Sequence, residues 1–264
     1  MARRPATSHQ DPVAELTALA KDLDLTALER QLPTLLERAA DTEPSFTDFT
    51  LSLLRAEASA REERRRERNR RRSRLPREIE GLEGFDFAIR PQLEPRVVRE
   101  LLHCHWAAEG KNLGMIGHTS TGKSRVMYAL ADAALREGYT VLRTTAADML
   151  DDLVTSVEVG TYRRTFRRYY KPEVLVIDNF GYASFGAEAA GHLFRLVDAR
   201  HENRSSIVLA APTGFGNWRR FFPSEGQASA TVERLIDRAI VLRFVGRPCR
   251  QPDAVHGADP DAAE

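Results

Sequence analysis

Along residues 11–59, apolar side chains recur every three or four positions: Val13, Leu16 and Leu19, then Leu23, Leu25 and Leu28, then Leu32, Leu35 and Leu36. That spacing places them on one side of a helix. A second set, Phe46, Phe49, Leu51, Leu53 and Leu54, follows Glu43-Pro44-Ser45, where a serine ahead of an apolar run reads as a helix start. No strand-like alternation interrupts the pattern. A small all-helical N-terminal domain is therefore predicted over residues 11–75. Its last helix continues through Arg61–Arg74 and stops at Leu75-Pro76, because proline cannot extend the hydrogen-bond ladder. Residues 1–10 and the acidic stretch 251–264 are predicted to be disordered.

After Pro76 the pattern changes. Short continuous apolar runs appear at Leu113–Ile116, Tyr139–Leu142, Val174–Ile177, Ile207–Ala210 and Ile240–Leu242, as expected for parallel strands covered on both faces. Helical stretches separate them. In one, Ser124 to Glu137, Val126, Met127, Leu130, Ala134 and Leu135 share a face and Gly138 supplies a stop. Strands alternating with helices predict a doubly wound α/β domain with a parallel five-stranded sheet over residues 76–250.

Composition changes this picture in one respect. The net charge is only +1, but residues 61–77 hold ten arginines against three glutamates. Lysine is rare: Lys21, Lys111, Lys123 and Lys171 are all there are among 39 basic residues. Cys104 and Cys249 lie far apart without metal-ligand spacing, which points to a reduced compartment and no zinc site. No run approaches the ~18 apolar residues of a membrane span, and no apolar segment follows the N-terminal Met-Ala-Arg-Arg-Pro, so a cytoplasmic protein is expected.

The chemistry concentrates at Gly117-His118-Thr119-Ser120-Thr121-Gly122-Lys123-Ser124, followed by Arg125. In a Gly-x-x-x-x-Gly-Lys-Ser loop between a strand and a helix, the glycines let the backbone turn around an anion, and the amides point at the phosphates. Lys123 is expected to neutralise the β- and γ-phosphates of ATP, and the Ser124 hydroxyl to ligate Mg²⁺. A chain that elsewhere chooses arginine keeps lysine here, where a compact point charge suits the cradle. Asp178 ends the apolar run 174–177 and supplies the carboxylate that holds magnesium through its waters. Asn179 comes next, where many such ATPases carry a glutamate. An amide can orient a water but cannot take its proton, so slow or partner-dependent hydrolysis is expected.

Together these motifs make the chain similar to the IstB-like family, AAA+ helper ATPases of insertion-sequence transposition related to DnaC helicase loaders. The resemblance runs from about Leu16 to Arg250. It rests on Phe85-Asp86-Phe87 with Val98-Arg99-Glu100-Leu101, the phosphate loop, Thr145–Leu150, Ile177–Tyr182, Phe215-Gly216-Asn217-Trp218 and Glu233-Arg234-Leu235. It implies an AAA+ domain and an ATP-dependent homo-oligomer with the nucleotide at subunit interfaces. Such an oligomer loads on DNA and recruits or activates a transposase. Arg234 falls where the family places an arginine that reaches the neighbouring subunit's ATP, with Arg238 a nearby competitor. Two positions depart from the family: Asn179, and Ala210-Ala211-Pro212-Thr213 where a polar sensor usually stands. Few residues follow Arg234, which agrees with relatives that lack a full helical lid.

Residues 162–171 carry the expected DNA contact. Arg163, Arg164, Arg167 and Arg168 share one helical face, and Tyr162, Phe166, Tyr169 and Tyr170 the other. The arginines are expected to track phosphates while the aromatics pack on the core. The 61–77 run is a second candidate, or else a charged helical linker. His103 and His105 flank Cys104, but alternate spacing on a helix would send them to different faces, so packing is expected rather than a metal site. Two other readings stay open: a replicative helicase loader, and an ATP-binding DNA scaffold with negligible hydrolysis.

Overall fold

The computed structural model describes residues 11–182 and 184–248. The expectations for residues 1–10 and 251–264, and Cys249, lie outside the described residues. The chain divides into two compact units, residues 1–68 and 69–264.

The first unit is helical. Helix α1 (Pro12–Asp22) starts with Asp11, whose side chain accepts from Val13 N–H at 3.0 Å, and with proline in its first turn. Helix α2 (Thr26–Thr42) ends on Glu43 in a left-handed conformation. Helix α3 (Phe46–Ser73) starts at the expected serine, since Ser45 Oγ accepts from Asp48 N–H at 3.1 Å. The N-terminus of α2 has no cap from its own segment. Glu57 of α3 provides one instead, accepting from Ala27 N–H at 2.8 Å and Leu28 N–H at 3.4 Å. Arg61 and Arg64 each reach the same carboxylate at 3.0 Å. Burial alone would raise the Glu57 pKa, but these hydrogen bonds outweigh it and hold the group below its ordinary range.

In the second unit α4 (Pro95–Leu101) and α5 (His105–Ala108) precede the sheet. Then β1 (Asn112–Gly117), α6 (Lys123–Arg136), β2 (Val141–Thr145), α7 (Ala146–Glu158), α8 (Tyr162–Tyr170) and β3 (Val174–Asp178) follow. They are succeeded by α9 (Ala187–Glu202), β4 (Ser206–Ala211), a 3₁₀ turn (Phe215–Phe221), α10 (Glu225–Ile236) and β5 (Ala239–Phe244). All five strands are parallel, in the order β2-β3-β4-β1-β5. This is the predicted doubly wound sheet.

Both faces are covered. On one, Val126, Met127, Leu130 and Ala134 of α6 pack on Leu113, Met115, Val176 and Val208. On the other, Met149 and Leu153 of α7, Leu193 and Leu196 of α9, and Leu235 of α10 pack on Leu175, Ile177, Ile207 and Leu209. Alternation along the strands sends neighbouring residues to opposite layers, which is why the runs are apolar throughout. Among the described residues no helix follows β5, and none is long and apolar enough to cross a membrane.

Candidate functional site: a phosphate cradle at the strand ends

The loop between β1 and α6 is shaped by backbone constraints. A Cβ on Gly117 would lie 2.2 Å from the carbonyl oxygen of Phe244 on the neighbouring strand. Gly122 has φ +89°, and a Cβ there would meet the Phe85 ring at 2.7 Å. Neither position can hold a larger residue without displacement. Thr121 is buried, with its hydroxyl donating to His118 O at 2.8 Å and its own carbonyl accepting from Arg90 Nε at 2.8 Å. Gly122 caps α6 without any side chain, so the first amides of α6 remain available to an anion.

Lys123 is buried and donates to the carbonyls of Gly117 and His118, both at 2.6 Å. Burial pulls its pKa down, and the charge of Asp178 opposes that shift. The loop borders a cavity of about 820 Å³ lined by Thr119, Ser120, Thr121, Gly122, Lys123, Ser124 and Arg125, together with Asp178 and Asn179. Gly117 and His118 contribute through the carbonyls that hold Lys123. Arg125, also on the cavity wall, donates to Gly81 O at 3.0 Å and Glu83 O at 2.5 Å.

Asp178 sits at the end of β3, nearly buried. Its Oδ1 accepts from Asn179 N–H at 2.9 Å and its Oδ2 from the Tyr128 hydroxyl at 2.5 Å. Burial, and then Asp178 itself, push the Tyr128 pKa up to about 12, so the phenol stays a donor. The hydroxyl of Ser124 and the carboxylate of Asp178, both on the cavity wall, are hard oxygen donors of the kind magnesium takes beside phosphates. Among the described residues there is no group of three or more His, Cys, Asp or Glu that could hold a metal by itself. A nucleotide-bound cation needs only one or two protein oxygens, so the donor set fits.

Asn179 is exposed to the cavity in a left-handed conformation, φ 54°, which asparagine accepts more easily than most residues. At the end of β4 the cavity meets Ala210. Pro212 faces a neighbouring depression with Gly181, Tyr182 and Arg220, and the Thr213 hydroxyl is buried without a hydrogen-bond partner.

Arg163, Arg164, Arg167 and Arg168 lie on α8, as the periodicity predicts, while Tyr169 is buried and Tyr162, Phe166 and Tyr170 pack on the core. They line a groove of about 1010 Å³, and Arg71, Arg72, Arg74 and Lys171 line it too. None of its lining residues is acidic or aromatic. Arg168 is held by Asp152 at 3.2 Å. Beneath the groove, fully buried Arg200 donates to the carbonyls of Tyr169, Tyr170, Pro172, Glu173 and Ser206 at 2.7–3.2 Å. Burial lowers its pKa to about 9, which leaves it charged at neutral pH.

Arg234 stands on α10 with its Nε 2.9 Å from Asp198 and does not line the nucleotide cavity of its own chain. Arg238 donates to His201 O at 3.1 Å and is likewise outside it. His103 and His105 are not on one helix as expected. Cys104, with φ 58°, separates α4 from α5, and the two rings lie 6.3 Å apart.

Several residues of the site were not assigned to it from sequence. Phe85 and Asp86, which entered only as marks of the family resemblance, and Ile89 come from the segment before α4, and Arg247 and Pro248 from the segment after β5; all line the nucleotide cavity. Arg90 joins these segments to the loop, donating to Arg247 O at 2.7 Å as well as to Thr121 O. Arg143 lies in β2, 3.5 Å from Asp178 and one residue beyond the apolar run 139–142, so the run itself gave no sign of it.

A glycine-shaped loop with its lysine, a strand-end aspartate and a five-stranded parallel sheet define a P-loop nucleotide-binding protein with an AAA+-like fold. A family model described as IstB-like ATP binding protein matches residues 18–254, and the chain belongs to that family. It is 29% identical to a Pseudomonas aeruginosa protein named for ATP binding in insertion sequence IS21, over 89% of this chain and 88% of that one. In fold it is similar to AMPPCP-bound DnaA from Aquifex aeolicus, with TM-score 0.54, 21% identity and coverage of 65% of this chain and 51% of that one. It is also similar to the DnaC helicase loader, with TM-score 0.51, 16% identity and coverage of 57% and 87%.

Proposed function

We propose that this protein is an ATPase that assembles on DNA as a homo-oligomer and recruits or activates a transposase during insertion-sequence transposition. The observation that carries this reading is the pairing, within one unit, of a phosphate cradle and a groove walled by seven arginines and a lysine. With no acidic residue among the lining, these cations concentrate a positive potential that a polyanion would offset. The absence of aromatic rings from the groove lining favours grip on phosphates over stacking on bases.

In the cradle, Lys123 neutralises the β- and γ-phosphates, Ser124 and Asp178 hold magnesium, and Asn179 orients the attacking water. Arg234 acts on the ATP of an adjacent subunit, leaving Asp198 to do so. Leu16, Leu19, Leu23 and Leu54, exposed on the first unit, supply apolar surface for self-association. The named role of the IS21 relative supports the transposition setting over helicase loading, since the likeness to DnaC is one of fold.

The DNA arm is tested by replacing Arg163, Arg164, Arg167 and Arg168 with glutamine and measuring duplex affinity against salt. Loss of four phosphate contacts lowers the slope of log K on log salt by about 3 to 4. An unchanged slope sinks the assignment.

A second reading, a scaffold that binds ATP and hydrolyses almost none, is favoured by Asn179 and by the apolar end of β4. Comparing ATPase rates with and without duplex DNA, in wild type, Lys123→Ala and Asn179→Asp, separates the two. Aspartate also tolerates a left-handed backbone, so Asn179→Asp restores an acid at about the least strain available. A DNA-stimulated rate abolished by Lys123→Ala supports the enzyme. A wild type that binds ATP, stays silent with DNA and transposase, and gains activity in Asn179→Asp supports the scaffold.

A further inference from the structure

Asp178 is held from behind by two residues that do not reach the nucleotide cavity. Tyr128 lies one helical turn into α6, and its hydroxyl donates to Oδ2 at 2.5 Å. Arg143 lies in β2, in register with Val176, so it stands on the same face of the sheet as Asp178, two residues along the next strand. Its Nη2 is 3.5 Å from Oδ2, and its guanidinium lies over the Tyr128 ring, 5.8 Å from the centroid. The three side chains form one cluster beneath the strand end, and neither Tyr128 nor Arg143 lines the cavity.

Two features of this cluster are costly unless they serve Asp178. Arg143 is largely withdrawn from solvent, with 29% of its side chain exposed, and its Nε is buried without a hydrogen-bond partner. Placing a cation in the middle of β2, between the apolar layers, also sacrifices a position that could pack.

We propose that Tyr128 and Arg143 are positioning residues for Asp178 that set, in opposite directions, how strongly it holds the divalent cation of a bound nucleotide. Tyr128 fixes the rotamer of the carboxylate while leaving its charge intact, because a neutral phenol donates without neutralising. Arg143 shares the negative charge of Oδ2, and its own charge opposes a divalent cation brought to the same carboxylate. The cluster makes the contribution of magnesium to nucleotide affinity adjustable from outside the cavity. Thr140, Val141 and Leu142, immediately before Arg143 on the chain, line the arginine groove, so the cation that tempers Asp178 is adjacent in sequence to the floor of that groove.

This inference rests on the reading that ATP is bound with magnesium at Ser124 and Asp178. The experiment is equilibrium binding of a fluorescent ATP analogue to the full chain, with magnesium chloride and with EDTA, read as the ratio of the two affinities. Arg143→Gln is expected to raise that ratio by about fivefold to tenfold while affinity in EDTA stays within about twofold. Tyr128→Phe is expected to lower it by a similar factor, because the freed carboxylate closes on Arg143. Arg143→Lys, which keeps the charge, should stay near wild type, and it gives a folded comparison if the glutamine variant does not fold.

A ratio unchanged in both Arg143→Gln and Tyr128→Phe overturns the proposal. Equal loss of affinity with and without magnesium in Arg143→Gln also overturns it, since the guanidinium would then be binding phosphate directly. A wild type whose nucleotide affinity ignores magnesium defeats the underlying reading instead, and the two failures are thereby told apart.

Discussion

The nucleotide cradle and the arginine groove, both proposed to take phosphate, are built on opposite principles. The cradle balances its charges: Lys123, Arg125 and Arg247 face Glu80, Asp86 and Asp178 around it. Its grip comes from backbone amides and from glycines whose geometry excludes a side chain. The groove is of one sign throughout, and its walls are side chains on the end of α3 and on α8. A site made of shape and fixed dipoles discriminates one anion and responds weakly to salt. A site made of clustered cations takes any phosphate chain and fades as salt rises. Perturbations can therefore separate the two.

The largest expected effect comes from beneath the groove. Arg200→Met removes the guanidinium hydrogen bonds to five backbone carbonyls, of which Glu173 O keeps the Ser206 N–H, and we expect a loss of about 3 kcal/mol or more, measured by chemical denaturation. Because those carbonyls include four from the segment that ends α8 and leads to β3, DNA affinity should fall further than nucleotide affinity in whatever protein remains folded. Equal losses would mean that the two sites are not mechanically distinct.

Next is Gly117→Ala. A Cβ 2.2 Å from Phe244 O forces the loop or β5 to shift, with strain of about 1–3 kcal/mol and a loss of nucleotide affinity of about 5- to 150-fold. DNA affinity measured without nucleotide should stay at wild type. Calorimetric titration reads the first effect and fluorescence anisotropy the second.

Smaller, and sharper in meaning, are single changes in the groove. Arg72→Gln on one wall and Arg167→Gln on the other should each reduce the salt slope of DNA binding by about 1, while nucleotide affinity keeps its weak salt dependence. A change confined to Arg167 would shrink the site to α8 alone.

The smallest effect tests the contrast from the first unit, where arginines serve structure. Glu57, held below its ordinary range, stabilises that unit at pH values above about 4.5, the unfolded value, and this stability is lost as pH falls through the lower folded value. Glu57→Gln should cost about 1–2 kcal/mol at pH 7 and flatten the acid limb, followed by far-UV ellipticity. A steep acid limb retained in the variant would assign it to other carboxylates.

Much of this molecule was legible along the chain. The helical period before Pro76, the five apolar runs, the loop at 117–124 and Asp178 at a strand end all lie in contiguous stretches, and contiguous patterns report local geometry directly. The basic and aromatic faces of α8 were legible for the same reason. The two histidines around Cys104 were misread because a left-handed residue breaks the helix between them, and cysteine gives no sign of that conformation.

Sequence by itself determined the elements, the phosphate cradle and the aspartate, because each depends on residues close together in the chain and on the spacing between them. Only tertiary structure decided that Glu57 caps α2 and that Arg200 pins the end of α8. It likewise decided that Arg72 and Arg167 share a groove, and that Tyr128 and Arg143 meet on Asp178. Those pairings depend on strand order and on which layer each helix covers. A parallel sheet with crossovers brings distant residues together in a way that no local period encodes.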